Sequence, residues 1–393
     1  AFAYEMGALA VQAGPVVRVT GLQATLAGTF SLSGSFVFQR DADTGALQAL
    51  ASSASAALQA GAFQAGVRNT TLALVIQGRL GGGSDILLEA ASAELSFALG
   101  DDLKASASSA ALRWNSSADD ASGRSITVAG QTHQFGDLEA GRQELALSGA
   151  DIVAGDFFRV SGDFAVLRST ATVKLAADTA GTAADESVDG VLVDLLTLGG
   201  SGLSASAGID GAGLQLAGVQ FGVAMMSARQ DAQRRWTSVQ ASASSAAFVG
   251  IDGLDVAANA LSVSINRASG SEAVVDYASG KTELSVRNGA DAGGVYVLSM
   301  DGSRGALLEV RGNLQIDVAG FVQLSGEMGF SKAAVGAEER LIAMGKSVSA
   351  QLGGDGAYVG LSNAEFGLIA GNGQTAFELK NGSFAAAIDG LSA

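Results

Sequence analysis

Apolar residues recur at every second position along most of this chain, as in Phe30, Leu32, Phe36 and Phe38, then Leu72, Leu74 and Ile76, and again Leu261, Val263 and Ile265. A period of two sends alternate side chains to opposite faces of a strand, so each such segment predicts a strand with one apolar face. The spacing of three and four that marks an amphipathic helix is not sustained anywhere. Two windows, 54–64 and 227–235, favour short helices by propensity alone.

The alternation is also repeated at a larger scale. LAGTFSLSGSF at 26–36, AGDFFRVSGDF at 154–164 and VAGFVQLSGEM at 318–328 place the same apolar rhythm around a fixed Ser-Gly. ASASSAA occurs at 105–111 and at 241–247, and SAGIDGAGLQLAGVQFG at 206–222 aligns with QLGGDGAYVGLSNAEFG at 351–367. The blocks keep their order, which predicts duplicated units: 1–150, 151–315 with an insertion near 179–194, and a partial third at 316–393. Each unit is several times longer than a single solenoid repeat, so each must hold many strands.

Composition narrows the architecture. There are 54 Gly and 1 Pro in 393 residues, with abundant Ala and Ser and only 6% aromatics. Small inward side chains let layers approach closely and leave a thin core of Ala, Ser, Gly, Val, Leu and Phe. The expected fold is all-β: an elongated solenoid-like or stacked-sheet repeat, with tandem β-sandwich domains as the alternative.

Charge and cysteine usage then exclude whole classes. A net charge of −16 without a basic patch speaks against nucleic acid, and 0 Cys removes disulfide and thiolate chemistry. No apolar run reaches the roughly 20 residues of a spanning helix, so no membrane span is expected. The first residue is Ala1 and Ser-Gly copies lie near both ends, so the chain is expected to be a piece of a longer array.

Candidate chemistry is sparse. Asp-Gly pairs at Asp189, Asp210, Asp252, Asp301, Asp355 and Asp389 read first as turns, because both residues tolerate left-handed backbone. With Asp41, Asp43 and Asp85 they are also the oxygen donors that a hard ion such as Ca²⁺ would use, although neither an EF-hand loop nor the glycine-rich calcium nonapeptide is in register. The single His, His133, gives little scope for acid–base or metal chemistry. The adjacent carboxylates Asp101-Asp102 and Asp119-Asp120 point to opposite faces of any strand, which makes them poor catalytic partners. The glycine-rich LGGGSD at 80–85 and LGGSG at 198–202 lack the Gly-Lys-Ser/Thr ending of a phosphate loop. Arg229 to Arg235 with Trp236 form the one local basic spot, a solvated loop or a contact for acidic glycan. The chain is therefore not expected to be an enzyme.

Taken together, the Cys-free alternation, strands such as VSINRA at 263–268 and the recurrent Ile-Asp-Gly turns resemble very large repetitive bacterial surface and matrix proteins, the adhesin-like kind exported in one step. That resemblance implies an extracellular or cell-surface location and calcium as a stabiliser. The expected function is structural: a filament, surface-layer or adhesin-stalk repeat that self-associates through strand edges or ends. The alternative is a module that binds or degrades polysaccharide, with cell-surface glycan as partner. A third form, a lipid-carrying open β-groove, would require a continuous inward apolar face along the whole length.

Overall fold

A computed structural model of the chain describes residues 2–5, 9–11, 16–26, 30–60, 63–79, 81–100, 102–155, 157–176, 189–209, 211–270, 273–289, 294–335, 338–354, 356–371, 374–388 and 391–392. Two compact units emerge, one of 1–170 with 287–294 and the other of 171–286 with 295–393. They partition the chain by contact, whereas the repeats partition it by sequence.

In the first unit, β1 (Phe2–Glu5) and β2 (Leu9–Val11) share one edge of β3 (Val16–Leu26). From there β4 (Phe30–Arg40), β5 (Leu47–Ala60) and β6 (Phe63–Gly78) each run antiparallel to the strand before. The far edge of β6 is shared by β7 (Ser84–Ser92) and β8 (Glu94–Leu99), which continue into β9 (Leu103–Ala107) on β8 and β10 (Ser109–Asn115) on β7. The chain then leaves the sheet for a hairpin, β11 (Ser125–Val128) and β12 (Gln131–Gln134), and returns as β13 (Gln143–Ala154) and β14 (Phe158–Val173).

The second unit repeats this plan. Strands β15 (Val191–Ile209), β16 (Ala212–Ala228), β17 (Arg235–Val249) and β18 (Leu254–Ala268) form a meander. A short excursion holds β19 (Ser285–Arg287) and β20 (Val295–Val297), after which β21 (Leu307–Val318) pairs back onto β18. The meander continues through β22 (Val322–Val335), β23 (Glu338–Gly354) and β24 (Ala357–Gly371). The far edge of β24 is shared by β25 (Gln374–Lys380) and β26 (Ser383–Ile388), and β27 (Leu391–Ser392) pairs with β26.

The chain is all-β, as the period of two predicts, and no α-helix occurs among the described residues. The described parts of the two helix-prone windows are strand and turn instead: 54–60 and 63–64 lie in β5 and β6, and 227–235 covers the β16–β17 connection. Helix propensity is a few tenths of a kcal/mol per residue, and a registered ladder on both sides overrides it. Every strand pairing among the described residues is antiparallel, so stacking proceeds by hairpins rather than by parallel coils. Neither unit is a sandwich of two comparable sheets.

The three Ser-Gly marks turn out to be one local structure. Gly34, Gly162 and Gly326 have φ of +137°, +139° and +146°, a region that L side chains rarely adopt. Beside each, the neighbouring strand carries one extra residue in left-handed conformation, Ser53, Gly149 and Ser347 at φ +50°, +55° and +52°. A Cβ on Gly34 would stand 2.7 Å from the Ala54 Cα, and one on Gly326 2.8 Å from the Val348 Cα. Glycine is therefore required where a bulged strand presses against a straight one.

The large buried side chains gather on one face in each unit, whereas the buried residues of the other face, such as Ala49, Ala51 and Ala343, are mostly small ones sheltered by their larger cross-strand neighbours. In the first unit the excursion between β10 and β13 folds over Val37, Leu50, Val75 and Leu87, and contributes Ile126, Val128, Phe135 and Leu138 to a common core. In the second, the excursion between β18 and β21 covers Val193, Leu195, Met226 and Trp236 with Tyr277, Leu284, Val286 and Leu298. A fully buried asparagine stands at each departure point. Asn115 donates Nδ2 to the Leu138, Asp119 and Glu139 carbonyls, and Asn266 donates to the Val275 carbonyl. Each amide satisfies buried backbone oxygens that a turn would otherwise leave unpaired.

Candidate functional site

Within each unit, no excursion among the described residues packs on the opposite face. Following the register of the second unit, one transverse row reads Phe221, Ala241, Val263, Val310, Phe330, Ala343, Leu368 and Phe377. Another reads Leu214, Phe248, Val256, Ile316, Leu324, Ala350, Leu361 and Phe384. Many of these side chains are open to solvent; Phe377, Phe384 and Phe330 are 63%, 73% and 48% exposed. The exposed members of these rows adjoin one another across the sheet, the kind of contiguous apolar surface that marks an interaction site. The first unit presents the same kind of face, through Phe36, Phe38, Leu72, Leu74, Leu112 and Leu145.

Charge is sorted between the faces. Among the described residues strand register puts seven ionisable residues on the apolar faces: Arg40 and Arg168 in the first unit, and Asp194, Arg235, Arg267, Lys332 and Glu339 in the second. Asp194 is paired with Arg229 at 3.3 Å. All seven stand near the strand ends from which the excursions depart. The polar face of the second unit holds instead a ladder of opposite signs, with Glu327 beside Lys346 and Glu365 beside Lys380, flanking a shallow depression.

The first unit also contains a buried ionic cluster that sequence reading missed. Glu144, fully buried, accepts from Arg142 Nε at 2.8 Å and Arg113 Nη1 at 3.2 Å, with Arg287 at an ion-pair distance of 3.3 Å. Glu89 accepts from Arg113 Nε at 3.1 Å, His133 Nε2 at 2.9 Å and the Gly136 amide at 3.2 Å. Burial pushes the Glu89 carboxyl up, but the Gly136 amide, His133 and Arg113 outweigh it and hold the group below its ordinary value. His133 is thus a half-buried clasp between excursion and sheet rather than a surface turn residue. Each oxygen of Glu89 and Glu144 already has a donor, so the cluster ties elements together. Only the pairing of strands distant in sequence could have revealed it.

The candidate calcium donors are scattered. Asp41 Oδ1 accepts from the Thr44 amide at 2.8 Å, the Thr44 hydroxyl at 2.7 Å and the Asp43 amide at 3.2 Å, and the Thr44 bonds foremost hold its carboxyl low. Asp85 is held low by its hydrogen bond with Arg79. Asp301 caps a short turn by accepting from the Ser303 amide at 2.9 Å. Asp43, Asp189 and Asp252 lie exposed in turns. Asp210, Asp355 and Asp389 lie outside the described residues. Among the described residues no three His, Asp or Glu side chains gather as a metal-holding group. The basic spot resolves into distinct contacts, with Arg234 stacked 5.3 Å over the Trp236 ring and Arg229 on Asp194. Trp236 is buried whereas Trp114 is 38% exposed on the apolar face, so the two tryptophans are not equivalent.

No helix among the described residues is long and apolar enough to cross a membrane. No protein-family model matches the chain, and no curated protein matches it. A solved structure, CdiB from Acinetobacter baumannii, aligns over 94% of this chain at 10% identity with a TM-score of 0.20, a likeness too small to carry an argument. The chain spans 56% of that protein's length.

Proposed function

We propose that this chain is a non-catalytic structural repeat module of an extracellular bacterial layer, filament or stalk, in which the sheet surface, and not a pocket, is the working element. One observation carries the reading: each unit has a sheet face that is mostly apolar, charged only near one end of its strands, and left largely uncovered by the unit's own excursion. A face of that size is costly in water and acquires a use only when something covers it.

Joining of copies through strand edges supplies the extended layer. Among the described residues β25 pairs with β24 along one side only, and every residue of β25 is exposed. An open edge of this kind accepts another strand through its free backbone groups. Sedimentation velocity over a concentration series should show growing assemblies that Ala376→Lys on β25 shortens. A monodisperse monomer at all concentrations overturns the reading.

A further inference from the structure

We infer that the apolar face docks on an anionic lipid surface, with its basic rim at the headgroups and its apolar rows against the acyl region. The inference rests on the structural reading above and names what covers the face. It starts from a charge imbalance. The chain carries 39 acidic and 23 basic residues, yet five of the seven ionisable strand residues on the apolar faces are basic; of the two acidic ones, Asp194 is paired with Arg229 and Glu339 stands at the outer end of β23.

Position supports the same partner. In the second unit Arg235, Arg267 and Lys332 stand on three successive rows as the sheet is crossed from β17 to β22. Such a stagger is what strands tilted by roughly 45° give to a level boundary. Beyond it, six rows are otherwise free of charge. In the first unit Arg168 lies on the same row as Trp114, across Gln143, and Arg40 lies one row further out. A half-exposed indole next to arginine at the margin of an apolar face is the arrangement that suits a headgroup region, where the ring is half wet and the cation meets phosphate.

A second copy placed face to face would set these basic rims against neutral or like-charged surface and gain nothing from them. Anionic headgroups complement them directly. Each basic residue near such a surface contributes about a fivefold gain in affinity.

The test is flotation of the full chain with vesicles of phosphatidylcholine alone and of phosphatidylcholine with phosphatidylglycerol. The wild type should float with the second kind, and the triple variant R235Q/R267Q/K332Q should bind on the order of a hundredfold more weakly. Raising salt from 0.1 to 1 M should weaken the wild type in the same direction, as the screening length shrinks from about 10 to 3 Å. Val263→Asp should lower binding to the anionic vesicles while the buried Trp236 emission shows the core intact. Equal flotation with both vesicle types, no flotation with either, or a triple variant that binds as wild type overturns the inference. So does a dimer that Val263→Asp dissolves in a protein that ignores vesicles, because the face then belongs to a second copy. Assembly through β25 without lipid binding removes this inference alone, and lipid binding by a monomer removes the layer reading alone.

Discussion

The two units solve the same problem with different chemistry. Each folds an excursion onto the face of its own meander, and each anchors it beside a buried asparagine. The first unit adds a buried ionic cluster, Glu144 and Glu89 with Arg113, Arg142, Arg287 and His133. The second uses an indole and a neutral chain of hydrogen bonds. Trp236 Nε1 donates to the Ala273 carbonyl at 2.8 Å, while the Tyr277 hydroxyl donates to Ser238 at 2.8 Å and Ser238 donates to Asn266 at 3.1 Å. Ion pairs taken out of water depend on every partner being present, whereas a packed indole depends mainly on filled volume. The same architecture should therefore fail in different ways.

Breaking the contrast at its strongest point means removing one ion. Glu144→Ala leaves three guanidinium groups around an empty site and should cost about 4 kcal/mol, read by denaturant titration and by hydrogen exchange that rises in β11 and β12 and beside Arg287 in β19 but not around Tyr277. Trp236→Ala should cost about 3 kcal/mol in the second unit, with exchange now rising in the other excursion. If both variants loosen both excursions equally, the contrast fails.

Acid sharpens the comparison. Because the Glu89 carboxyl is held below its ordinary value of 4.5, its contribution is present above that pH and is lost as pH falls through the depressed value. The first excursion should thus loosen in acid ahead of the second. The second has its own buried carboxylate, Asp276, which accepts from the Ala278 and Gly302 amides at 3.0 Å, but its main anchors do not titrate there. Exchange measured from pH 6 to 3 checks the order.

Smaller effects test the shared scaffold. Gly326→Ala places a Cβ 2.8 Å from the Val348 Cα at φ +146° and should cost about 2 kcal/mol. Tyr277→Phe should cost about 1 kcal/mol. Burial raises the Tyr277 hydroxyl above its usual 10, so the wild type gains from it below that pH and loses the gain as pH climbs. The phenylalanine variant should lack that alkaline loss.

Much of this was legible in the chain. The period of two in Phe36 and Phe38 or Val263 and Ile265 fixes a strand and its apolar side, because side-chain direction in an extended backbone is a local matter. The repeated Ser-Gly was legible as a mark, and its cause became visible only with the neighbouring strand in place, since the clash it avoids is with Ala54 or Val348. The ionic cluster was not legible at all. Glu89, Arg113, Glu144 and Arg287 are brought together by pairing and by the return of a distant segment, and no local pattern encodes that.

By itself, then, the sequence determined that this protein is made of strands, which residues share a side of each strand, and where glycine must stand. Tertiary structure decided which of the two sides is covered. Alternation makes two faces but does not say where an excursion will land, and only its landing over Val193 and Val37 left the richer apolar side bare.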